Sequence, residues 1–148
     1  MKPPIFASVQ PDASPLQYMH RARQFRRAAM QMADYVNGEQ FWPKYALLTH
    51  AIELALKAFV NHSTPSGMPV GKEPKQHDLL GWYRLAVECG LPDDAGIDEN
   101  IEYLNELHRI HYMRYPQRNS NPVPDLSVIA DATTDYLLDR ITSVTNPR

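Results

Sequence analysis

Apolar residues recur along this chain at spacings of three and four, and nowhere at a sustained spacing of two, so the pattern predicts helices and no useful strand. Tyr18, Ala22, Phe25, Ala29, Met32 and Val36 make one face of a helix over Pro15 to Asn37, with Asn37-Gly38 as its stop. A second helix runs from Trp42 to Asn61, with Pro43 in its first turn. It is apolar nearly all the way round, the mark of a helix enclosed by neighbours. A third spans Asp78 to Cys89 and stops at Gly90, with Leu79, Trp82, Tyr83, Ala86 and Val87 inward and Asp78 placed to cap it. Ile97, Ile101, Leu104 and Leu107 face inward from a fourth, Asp98 to Tyr112. The last, Asp125 to Ser143, directs Val128, Ile129, Ala132, Tyr136, Leu137 and Ile141 to the core.

The expected fold is therefore all-α, an up-and-down bundle of about five helices. Residues 1–15 form a proline-rich arm, extended or disordered, and 16–148 form one domain. The thirteen prolines punctuate the helices: Pro15 and Pro43 fall in first turns and the rest lie in the arm, the loops and the C-terminal end. Residues 62–76 make a long loop with no apolar period, a length that points to function or mobility.

Composition narrows the classes. A net charge of −2 gives no global pull toward nucleic acid or anionic lipid, so binding to either needs a local basic patch. The one cysteine, Cys89, excludes an internal disulfide framework and a cysteine-rich zinc site, and fits a cytoplasmic setting. No apolar run reaches the roughly 20 residues that span a bilayer. The opening stretch MKPPIFASVQPDASP has no continuous apolar segment, so no secretory leader is expected.

Two clusters carry candidate chemistry. On the second helix His50, Glu53 and Lys57 share a face at i, i+3 and i+7. Glu53 and Lys57 are also an i, i+4 pair in the favourable order. Polar groups on a buried helix must be paired or must line a groove. The second cluster closes the fourth helix, where Arg109, His111, Arg114 and Tyr115 lie among three arginines, two histidines and two tyrosines in twelve residues. There His108, His111 and Tyr115 share a face. Arginines interleaved with aromatic rings suit phosphate contact with base stacking. Arg23, Arg26 and Arg27 on the first helix, with Arg21 nearby, form a third patch, either a solvated outer face or, beside the fourth helix, an extension of an anion-binding surface. No metal site and no cofactor are expected: Glu-x-x-His, His-Glu-x-x-His and cysteine pairs are all absent, as is a phosphate-cradling glycine loop.

His-x-Ile-Glu-Leu-x-Leu-Lys over His50 to Lys57, His-Asp-Leu over His77 to Leu79, and Arg-Tyr-Pro over Arg114 to Pro116 together resemble the HEPN superfamily. The resemblance covers about residues 16–145. It implies a four- to five-helix bundle that dimerises, in defence or toxin–antitoxin settings, acting either as a metal-independent ribonuclease or as a binder of nucleotide, RNA or a protein partner. The family's catalytic signature is an arginine five to seven residues upstream of a histidine, and no histidine here has one. The expectation is thus a non-catalytic domain that binds a nucleotide or RNA through His50, Glu53, Lys57, His77, Asp78, Arg109, His111, Arg114 and Tyr115. One alternative is a ribonuclease with a rearranged site, His111 as base and Arg114 as phosphate clamp. The other is a protein-interaction module whose polar seam is structural.

Overall fold

The computed structural model describes residues 14–65, 67, 73–75, 77–109 and 125–145. Among them are five helices, α1 (Pro15–Met30), α2 (Trp42–Ser63), α3 (Leu79–Glu88), α4 (Ala95–Arg109) and α5 (Leu126–Thr145), and one small hairpin, β1 (Tyr35–Val36) with β2 (Glu39–Gln40). The protein is an all-α bundle. No described helix is long and apolar enough to cross a membrane.

Helix α2 is the axis of the assembly, packing against α1, α3, α4 and α5. Tyr45, Leu48, Ala51, Ile52, Ala55, Leu56, Ala58 and Val60 on it are fully enclosed. Each of the larger aliphatic side chains, Leu48, Ile52, Leu56 and Val60, contributes about 1.5–3 kcal/mol by leaving water, so α2 anchors the fold energetically. The four inward residues expected of α4 are all buried. That helix starts at Ala95, earlier than its apolar spacing suggests, because Asp94 caps it: the Ile97 N–H donates to Asp94 Oδ1 at 3.0 Å.

Helix α1 ends at Met30, seven residues short of the expected Asn37. The Asn37-Gly38 pair is the turn of the β1–β2 hairpin instead, with φ of 55° and 77°. Asn-Gly is the preferred dipeptide for a two-residue hairpin turn needing positive φ at both positions. The hairpin has mechanical work to do. Asp34, at its base, accepts from Lys44 Nζ at 2.6 Å and from the Tyr45 hydroxyl at 3.2 Å, which fixes it to α2. Gln40 Oε1 accepts the Leu126 N–H at 2.7 Å and so caps α5.

On α5 the buried stripe is rotated from the expected one. Leu126, Ala130, Thr133, Thr134, Leu137, Leu138 and Ile141 are inside, whereas Val128 is 73% exposed and Ala132 faces solvent. The two threonines can be buried because their hydroxyls are satisfied locally. Thr134 donates to the Ala130 carbonyl at 2.7 Å, and Thr133 accepts from Asn100 Nδ2 at 3.1 Å, tying α5 to α4.

Candidate functional site

Glu53 sits mid-way along α2 and is only 2% exposed. A carboxylate in such a place must be compensated, and three segments of the chain supply the partners. From its own helix, Lys57 donates to Glu53 Oε2 at 3.4 Å, the i, i+4 pair visible in the sequence. From the residue before the α3 cap, His77 brings Nδ1 to 3.4 Å from Oε1. From the last turn of α4, His108 brings Nε2 to 3.7 Å from the same oxygen. The two imidazoles meet edge to face, with ring centroids 5.2 Å apart. Lys57 Nζ also lies 5.2 Å from the centroid of the Trp82 ring on α3, a cation–π contact.

Burial pushes the Glu53 carboxyl up, but His108, Lys57 and His77 outweigh it and hold it down at about 2. The residue is therefore ionised throughout the neutral range. His50 is on the same face of α2, half-buried, with its ring edge-on to Phe25 at 4.5 Å. Burial lowers its pKa against the pull of Glu53. The site thus holds one carboxylate, one ammonium and three imidazoles within an apolar bundle.

Its supports are specific. Asp78 serves α3: Oδ1 accepts the Gly81 N–H at 3.1 Å as an N-cap, so this carboxylate belongs to the frame of the site. Gly81 is required by that cap, since a Cβ there would lie 2.5 Å from Asp78 Oδ2 and 3.1 Å from Pro74 Cβ. Asn105, buried on α4, accepts the Leu79 N–H through Oδ1 at 2.8 Å, which bolts the start of α3 to the helix that carries His108. His77 itself has φ of 66°, in the left-handed region that costs a non-glycine residue about 1 kcal/mol or more. The strained backbone turns its ring toward Glu53 while Asp78 begins α3.

Of the residues expected at a site, the fold brings His50, Glu53, Lys57 and His77 together. Arg109 follows His108 as the last residue of α4. His111, Arg114 and Tyr115 lie outside the described residues. His108 belongs with Glu53, a contact between residues 55 apart that spacing on one helix cannot reveal. Asn105 and Gly81 were equally invisible, being supports whose partners are a backbone amide and a cap.

A second polar centre holds the opposite ends together. Lys44 is 4% exposed and lies 2.6 Å from Asp34 and 3.8 Å from Asp131 of α5. Burial raises the Asp131 carboxyl more than Lys44 lowers it. Arg26 of α1 pairs with Asp135 of α5 nearby. This network joins α1, the hairpin, α2 and α5.

No family model, curated protein or solved structure matches this chain.

Proposed function

We propose that the chain is a non-catalytic HEPN-like domain that binds a phosphate-bearing ligand, a nucleotide or RNA, at the Glu53-centred cluster. The observation that carries the reading is the convergence of Glu53, Lys57, His77 and His108 from three separate segments onto one buried point. A bundle this apolar gains nothing in stability from such a cluster that well-packed hydrophobic residues could not supply. Lys57 contributes a fixed positive charge, and Arg109 opens the basic and aromatic run that ends with Arg118. Arginine forks and a lysine ammonium neutralise phosphate, and Tyr115 stacks a base. The missing arginine-to-histidine signature supports binding without cleavage. Homodimerisation, a cytoplasmic setting and a defence or toxin–antitoxin role come with the same resemblance and are proposed with it.

The test is labelled single-stranded RNA, and separately labelled ATP, incubated with the protein in EDTA at low salt, where phosphate contacts are strongest. Bound, intact ligand is expected. Lys57→Ala and Arg114→Ala should each weaken binding by about 10-fold, the value of one charge-assisted hydrogen bond. RNA cleavage abolished by His111→Ala would replace this reading with a rearranged ribonuclease. Absence of binding to both ligands would leave the protein-interaction reading.

A further inference from the structure

The Glu53, His77 and His108 atoms at the centre of the cluster are spaced more widely than strong charge-assisted hydrogen bonds. Charge-assisted N–H···O bonds run about 2.7–2.9 Å. His77 Nδ1 and His108 Nε2 lie 3.4 Å and 3.7 Å from Glu53 Oε1. Two ligands held by one tetrahedral ion at about 2.0–2.1 Å are about 3.3–3.4 Å apart. One ligand atom from each of the three residues lies within 4.8 Å of the others. The two separations from Oε1 are thus longer than strong charge-assisted bonds and close to the edges of a metal coordination polyhedron.

Satisfaction of the polar atoms points the same way. Glu53 Oε1 and His108 Nε2 are fully enclosed, and neither has a hydrogen-bond partner among the described residues. Glu53 is 2% exposed, so water does not compensate it cheaply. Its other oxygen is engaged by Lys57, which fixes the carboxylate plane and aims Oε1 at the two rings. The backbone that carries the rings is held too: near His77 by the Leu79–Asn105 bond and the Asp78 cap, and near His108 by the buried Leu107 of α4. Oriented ligands on rigid elements are what a metal centre requires.

We propose that Glu53, His77 and His108 form a binding site for one divalent first-row transition-metal ion, with zinc as the best match to two imidazoles and one carboxylate. Two histidines and a glutamate are an established zinc donor set that leaves a fourth position open. The motif-based expectation of no metal does not reach this trio, whose members come from α2, the approach to α3 and the end of α4. The inference is independent of the nucleotide or RNA reading. An ion here adds two positive charges beside Lys57, and its open position accepts water or an anion.

The experiment uses the full chain stripped with EDTA and dialysed free of it. Zinc chloride is titrated by calorimetry, and cobalt(II) by the visible bands of the tetrahedral ion. One ion per chain is expected. Glu53→Gln and His108→Ala should each weaken zinc binding by at least about 100-fold, since even the loss of an outer partner costs 10–100-fold. The exposed His20→Ala and His62→Ala should leave it unchanged. Far-UV circular dichroism checks the fold of each variant, and His77→Gln stands in for any that fails to fold. Absence of heat and of cobalt bands would overturn the proposal. So would zinc binding that survives both Glu53→Gln and His108→Ala, or that disappears with His20 or His62. The metal alone is the probe, so its failure leaves the phosphate reading untouched, and a failed RNA or ATP shift leaves the metal site untouched.

Discussion

Replacing Glu53 with glutamine keeps the shape of the side chain and removes its charge, so it isolates the electrostatics at the centre of the bundle. The folded carboxyl titrates at about 2 against 4.5 for the free group. A folded-state pKa below the unfolded value stabilises the protein above about pH 4.5, and that contribution is lost as pH falls toward 2. Linkage makes the contribution about 3 kcal/mol at pH 7 and about 1 kcal/mol at pH 3. Glutamine mimics the protonated acid, so Glu53→Gln should be less stable by those two amounts at the two pH values. Urea unfolding followed by circular dichroism, in EDTA at both pH values, measures each difference. His50 loses stability in the same direction, because burial lowers its pKa and protonation below about 6.5 opposes folding. It is present in both proteins and cancels to first order. A Glu53→Gln deficit of the same size at pH 7 and pH 3 would show that Glu53 is not held ionised by Lys57 and the imidazoles.

Other expectations concern the frame. Asn105→Ala leaves the Leu79 N–H without its buried acceptor and should cost about 1–3 kcal/mol, read as a lower urea midpoint. Gly81→Ala should destabilise, because its Cβ displaces the Asp78 cap and presses on Pro74, and the loss should shrink in Asp78→Ala, where only the Pro74 contact opposes up to about 1 kcal/mol of helix propensity, which a thermal-melt double-mutant cycle resolves. Asp131→Asn should be neutral or stabilising at pH 7. The Asp131 carboxyl is raised in the folded state, so its ionisation above its unfolded pKa weighs against folding, and the advantage should shrink as pH falls through that value.

Most of the architecture is written in the hydrophobic period. The enclosed helix α2 and the inward faces of α3 and α4 are read from spacing alone, because there the apolar stripe and the structural stripe coincide. The departures occur where a local preference and the period disagree. Met32 and Val36 continue the rhythm of α1, yet Asn37-Gly38 prefers a hairpin and ends the helix early. Val128 and Ala132 look inward on α5, but Thr133 and Thr134 take the core positions because their hydroxyls find acceptors and donors nearby. The site was half legible. His50, Glu53 and Lys57 share a helix and are seen together. His77 and His108 reach Glu53 only through the packing of α3 and α4, and Lys44 reaches Asp131 only through the packing of α5 on α2.

The imidazole protons report directly on the proposed engagement of a phosphate-bearing ligand at the Glu53 cluster. Proton NMR of the histidine ring resonances, assigned by single substitutions, should be followed while ATP or a short single-stranded RNA is titrated in EDTA. His50, His77 and His108 should shift together and saturate, while exposed His20 and His62 stay in place. Shifts confined to His20 or His62, or none at all at saturating ligand, would contradict it.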